Sequence, residues 1–213
     1  MVKKYGRYFF VSFILAVLIF ISGLILGFNL DSLRVDDAVS SLKYNELNSE
    51  SYVIENEFID VFGGDKCELL EPRFSTLSSE LGDLGRDLVS YESKTMFNKA
   101  YYEEMRREYF LLEMRTYTYL YQLKDECGYD IDLILFFYDI EDTESERQGY
   151  VLDSLVRGED NLYVFSFDRD FELDAAINTF KLHYDVVSVP TLIINDDIKK
   201  EGFVSLFELR ELV

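Results

Sequence analysis

An uncharged run of twenty residues, Phe9 to Phe28 (FFVSFILAVLIFISGLILGF), restricts this chain more than any other feature, and Lys3, Lys4 and Arg7 precede it. As a helix rising about 1.5 Å per residue, the run spans roughly the 30 Å of a bilayer's hydrocarbon core. A cleaved signal peptide has a shorter apolar stretch followed by a small-residue cleavage site. The FNLDSLR that follows offers no such site. The expectation is a retained transmembrane signal anchor over 9–28, with residues 1–8 held on the cytoplasmic side by their bases. Residues from about Asn29 onward then lie outside the cytoplasm, and no second apolar run of spanning length occurs. This is a single-pass topology.

The exported part is strongly acidic. The chain carries 41 acidic and 21 basic residues, a formal net charge of −20, and the three leading bases belong to the cytoplasmic end. Nucleic acid is excluded as a partner, because phosphate backbones demand a basic footprint. The acidity reads as solubility and self-repulsion. With 16 Tyr and 18 Phe the chain is too rich in large apolar side chains for a disordered polymer.

Residues 29–66 read as short helices and linker, ending at Gly63-Gly64. Beyond them Leu70, Phe74, Leu77, Leu81, Leu84 and Leu88 alternate in steps of four and three, the seam of a coiled-coil helix. Pro72 fits if it lies in the first turn. After a break near Ser93 to Asn98, Met105, Tyr109, Leu112, Thr116, Tyr119 and Leu123 repeat the spacing. Two helices joined by a short turn predict an antiparallel hairpin over 67–128. Cys67 and Cys127, the chain's two cysteines, fall at its open end. Antiparallel packing brings them within reach of a disulfide, which an exported location would preserve. Free or intermolecular thiols are the competing reading, and a redox-active pair is a third.

From about Asp130 to Val213 the pattern reads β-α-β-α-β-β-α. Strands are predicted at Asp132–Tyr138, Asn161–Phe167, Thr191–Asn195 and Ile198–Val204, with a tight turn at Asp196-Asp197. Helices are predicted at Ser145–Arg157 and Leu173–Tyr184, and Ser205 caps a last one.

That element order resembles the α/β thioredoxin-like fold, and two local motifs carry the likeness. YDVVSVPTL, Tyr184 to Leu192, is similar to the family's segment around its cis-proline, which puts Pro190 in that role. FFYDIEDTES, Phe136 to Ser145, lines up on the family's strand, loop and Cys-x-x-Cys motif. Asp142 then stands in the place of the attacking cysteine and Ser145 in that of the resolving one. Thiol–disulfide exchange needs a thiolate, and 130–213 contains no cysteine. The resemblance therefore implies a member with a degenerate site and no dithiol catalysis.

The function expected is a membrane-anchored, extracytoplasmic binding, adaptor or chaperone-like module without a cofactor. Its groove would be bordered by Ser188, Val189, Pro190 and Thr191 and by the loop Asp139 to Ser145. An extended peptide from an exported or membrane protein would add there as a strand. The alternative is a component of an extracytoplasmic redox system acting through Cys67 and Cys127. A structural envelope protein that oligomerises through the hairpin is a further reading. His183 alone makes a poor metal ligand. The acids Asp139, Glu141, Asp142, Glu144 and Glu146 lack a calcium loop's pattern, so no metal is expected.

Overall fold

A computed structural model describes residues 8, 10, 12–25, 47, 50–59, 61, 66–92 and 99–213. The chain divides into two compact units, Met1–Gly64 and Asp65–Val213. In the first unit, residues 12–25 and 50–59 are helical. Phe13, Leu18, Ile19 and Phe20 stand at least 60% exposed along the first of these helices. No helix of the described residues is long and apolar enough to cross a membrane. The ends of the apolar run, Phe9 and residues 26–28, lie outside the described residues, as do most of 29–49 and the break at 93–98.

The second unit runs α1 Lys66–Glu92, α2 Lys99–Cys127, β1 Asp132–Tyr138, α3 Thr143–Val156, β2 Leu162–Asp168, α4 Ala175–His183, β3 Thr191–Ile194, β4 Ile198–Glu201 and α5 Leu206–Arg210. The four strands form one sheet in the order β2-β1-β3-β4. β1 pairs parallel with β2, Asp132 opposite Leu162 and Tyr138 opposite Asp168. It pairs antiparallel with β3, Phe137 opposite Thr191, and β3 pairs antiparallel with β4. This is the predicted β-α-β-α-β-β-α order in a thioredoxin-like topology. Aspartates cap two of the helices: Asp142 starts α3 and Asp174 starts α4, each accepting from a main-chain N–H of its first turn. Ser205 does the same for α5.

Side chains alternate across β1, so each sheet face gathers its own core. Ile134 and Phe136 join Leu162, Leu192 and Ile194 under Leu152 and Leu155 of α3 and Leu209 of α5. Leu133, Leu135 and Phe137 point the other way and are also buried. That second face is aromatic, and α2 and α4 cover it. Phe110 of α2 packs 6.0 Å from Phe167 and 5.0 Å from Phe171, ring centre to ring centre. Tyr117 sits 5.8 Å from Phe165 and 5.6 Å from Phe180.

The hairpin is therefore built into the domain through α2. α2 has two buried faces. Met105, Thr116, Tyr119 and Leu123 belong to the seam read from the sequence, whereas Phe110, Glu113, Tyr117 and Leu120 form a second stripe. Lys124 fixes the end of α2 by donating to Asn195 Oδ1 at 2.9 Å, and Asn195 Oδ1 also accepts from the N–H of Leu133 at 3.0 Å. Cys67 and Cys127 form the expected disulfide, with Cα atoms 5.6 Å apart. Closing a loop of 60 residues' separation stabilises by about 4 kcal/mol in the chain-entropy model.

Three local expectations change. α1 begins at Lys66, which puts Pro72 in the second turn instead of the first. An interior proline removes one helical hydrogen bond and crowds the carbonyl four residues before it. The β3–β4 turn centres on Asn195 and Asp196, at φ of 52° and 67°, one residue before the expected Asp196-Asp197. Two consecutive positive φ values define a type I′ turn, which asparagine and aspartate tolerate. The strand Ile198–Val204 is also shorter than expected, ending at Glu201.

Candidate functional site

The sheet register places the candidate site. Because Phe137 lies opposite Thr191, the end of β1 and Pro190 share one end of the sheet. The loop that leaves β1 runs from Asp139 into α3 at that same end. The Val189–Pro190 bond is cis, as the family resemblance implies. Thr191 Oγ1 donates to the carbonyl of Ser188 at 2.8 Å, and the N–H of Gly202 donates to the carbonyl of Pro190 at 2.8 Å. Those two acceptors are spent inside the domain. No hydrogen bond among the described residues uses the main-chain groups of Val189, which lies between them.

Asp142 and Ser145 are bound to each other. Asp142 Oδ2 accepts from the N–H of Ser145 at 2.8 Å and from its hydroxyl at 2.7 Å. Ser145 Oγ in turn accepts from the N–H of Asp139 at 3.3 Å. The Ser145 hydroxyl and amide bonds hold the Asp142 carboxyl below its ordinary value of 3.8. The pair thus closes the first turn of α3, where the fold's redox members expose a thiolate. Asp139 accepts from the N–H of Glu141 at 2.8 Å and pairs with Arg169 at 3.5 Å, so these acids stabilise the loop. Neither position offers a nucleophile able to form a mixed disulfide.

Deeper groups beside the site escaped the sequence reading. Tyr138 ends β1, and burial, followed by the charge of Asp168, raises its phenol above the ordinary range. Arg106 of α2 forms a largely buried ion pair with Asp168, and Arg107 reaches Asp174 at 2.9 Å. Glu113 is 2% exposed on α2 and accepts from the N–H of Ser166 at 3.2 Å. Burial pushes its carboxyl up to about 8. The signal was present in Phe110, Glu113, Tyr117 and Leu120, spaced like the seam but offset from it, with an acid in the stripe.

The disulfide lies at the other end of the sheet. Lys124 binds Asn195 beyond the end of β3, next to where β1 begins, and Cys127 follows within one turn. The two groups of candidate residues do not converge. His183 lies in the last turn of α4, edge-on to Tyr184 at 4.7 Å.

Glu113 sets a pH dependence of stability. Its folded pKa exceeds the ordinary 4.5, so its contribution is fully present below pH 4.5 and is lost as pH rises through about 8. Glu113→Gln keeps the acceptor for Ser166 and removes the ionisation. Denaturant midpoints should fall between pH 5 and 9 for the parent and stay flatter in the variant, which becomes the more stable above about pH 8. Parallel pH profiles would contradict the assignment.

No protein-family model matches the chain, and no curated protein matches it. Among solved structures it is similar to a malarial protein, 22% identical over 39% of this chain and 93% of that one, with a TM-score of 0.34. It is similar to thioredoxin-2, described as a component of malaria parasite protein secretion machinery, at 23% identity over 38% of this chain and 80% of that one, TM-score 0.34. Thioredoxin O2 from Arabidopsis thaliana in its oxidized state is 17% identical over 46% of this chain and 84% of that one, TM-score 0.34. These likenesses concern the fold and carry nothing about activity. The thioredoxin-like fold of the C-terminal part stands on its own strand order, with one parallel pair at one edge and two antiparallel pairs beyond it.

Proposed function

We propose that this chain is a membrane-anchored, extracytoplasmic binding module of thioredoxin-like fold that takes an extended peptide and does no dithiol chemistry. The main-chain N–H and C=O of Val189 carry this reading, because the carbonyls on either side are internally bonded and those of Val189 are not. An extended segment laid beside Val189 would pair with them as an added strand. The bonded pair Asp142–Ser145 supports a binding role over a catalytic one. The anchor rests on the run Phe9 to Phe28 and its leading bases. The redox alternative through Cys67 and Cys127 has less support, since that bond lies away from the groove and closes a structural loop.

The binding reading is tested by residue-resolved amide exchange on the full chain in mild detergent, with reduced, carboxymethylated α-lactalbumin as an unfolded probe. Slower exchange at Val189 on adding the probe is the expected result. Saturable binding that leaves the Val189 amide unchanged would refute the groove.

Location has its own measurement. Protease added to intact cells should digest the region after Asn29 and spare the N-terminus. Protection of residues 65–213 would reverse the orientation.

A further inference from the structure

β2 is an outer strand of the sheet. Its main-chain groups alternate between β1 and the outside. The carbonyl of Asn161 accepts from the N–H of Asp132 at 2.9 Å, so residues 161, 163, 165 and 167 face β1. Leu162, Val164 and Ser166 then face outward, and the N–H of Ser166 does so visibly, donating to Glu113. Glu113 satisfies that one donor. The outward main-chain groups of Leu162 and Val164 enter no hydrogen bond among the described residues.

An open edge is a template for another strand. This one lies between two helices and stays open to solvent, with Val89 at the rim 70% exposed. It forms the floor of a cleft of about 1030 Å³ between α1 and α3, lined by Phe74, Leu81 and Gly82 on one side and by Gly149 and Leu152 on the other. That volume lies at the upper limit of the roughly 300–1,000 Å³ of small-molecule pockets.

We infer that the β2 edge is a second strand-addition site, separate from the groove at Pro190, for an extended peptide with apolar residues at alternate positions and acidic ends. A second copy of this chain does not fit, because each β2 edge is walled by its own α1 and α3, and two such edges cannot meet. Charge chooses the ends of the occupant. Arg86 and Arg157 line the cleft against a single acid, Asp153, on a chain of net charge −20. Among the described residues Arg86 pairs within its own helix, with Asp83, in an exposed bridge that an incoming carboxylate can replace. The apolar side chains of the added strand, all on one face of it, would meet Phe74 and Leu81 of α1.

The test uses the full chain in mild detergent with a fluorescent capped peptide of sequence EVTVTVE. Binding measured by polarisation should be saturable and should slow amide exchange at Leu162 and Val164. Gly82→Phe should weaken it at least tenfold. A Cβ at Gly82 meets only the flexible end of Arg86 at 3.4 Å, so the ring fills the cleft from the α1 side while the helix gains a better former. Val164→Pro removes one outward donor at an edge position that tolerates proline, and should weaken binding comparably. Equal affinity in both folded variants would overturn the proposal, as would failure of the peptide to bind. Protection at Val189 in place of Val164 would assign the peptide to the other groove and overturn this one. Loss of self-association in Gly82→Phe, seen by sedimentation, would make the occupant a second copy and also overturn it.

Discussion

The second unit depends on the aromatic layer between α2 and the sheet. Phe110 and Tyr117 project from α2 onto Phe165 and Phe167 of β2, and Phe137 and Phe180 complete the layer. Burying an aromatic ring of this size removes on the order of 150–250 Å² from water, and edge-on ring pairs add to that. Without α2 that face would be exposed along β1 and β2. The hairpin is thus a structural requirement of the sheet. The Cys67–Cys127 bond keeps α1 against α2 and so holds the wall of the β2 cleft in place.

The same physics that would serve catalysis serves capping here. A helix N-terminus favours negative charge, whether on a thiolate or on a carboxylate. Asp142 takes that position with an acid that is ionised anyway and binds the first-turn donors with it. The site keeps the geometry that presents main chain beside Pro190 and lacks the sulfur that would make a covalent bond. Binding by main-chain pairing needs only the geometry. In the proposed binding mode, main-chain pairing would supply affinity and pockets for alternate side chains specificity.

Most of the sheet was legible because β1, β2 and β3 are rich in apolar and aromatic residues and bounded by turn residues. Asp132–Tyr138 was placed to the residue and Ser205 was read as a cap, whereas the helix capped by Asp142 begins at Thr143, two residues before the expected Ser145. The position of the hairpin was not legible. A heptad seam announces a partner helix, but the second stripe on α2 contains Glu113 and a tyrosine, which read as polar surface. Only the tertiary partners, Ser166 and the phenylalanines of β2, make that stripe a core face. The candidate site was legible in its residues, while the internal bonding of Asp142 with Ser145 and the unbonded main chain of Val189 required coordinates. The open edge of β2 was invisible for the same reason, since strand order is not written in strand composition.

Native-state hydrogen exchange along a denaturant series tests the central claim, that α2 is a layer of the thioredoxin-like domain. If the aromatic layer joins them, the slowest amides of α2 between Phe110 and Leu123 should open with the same free energy and denaturant dependence as those of β1. Exchange of α2 at distinctly lower free energy, with β1 still protected, would show that the hairpin folds apart from the sheet and would contradict the account.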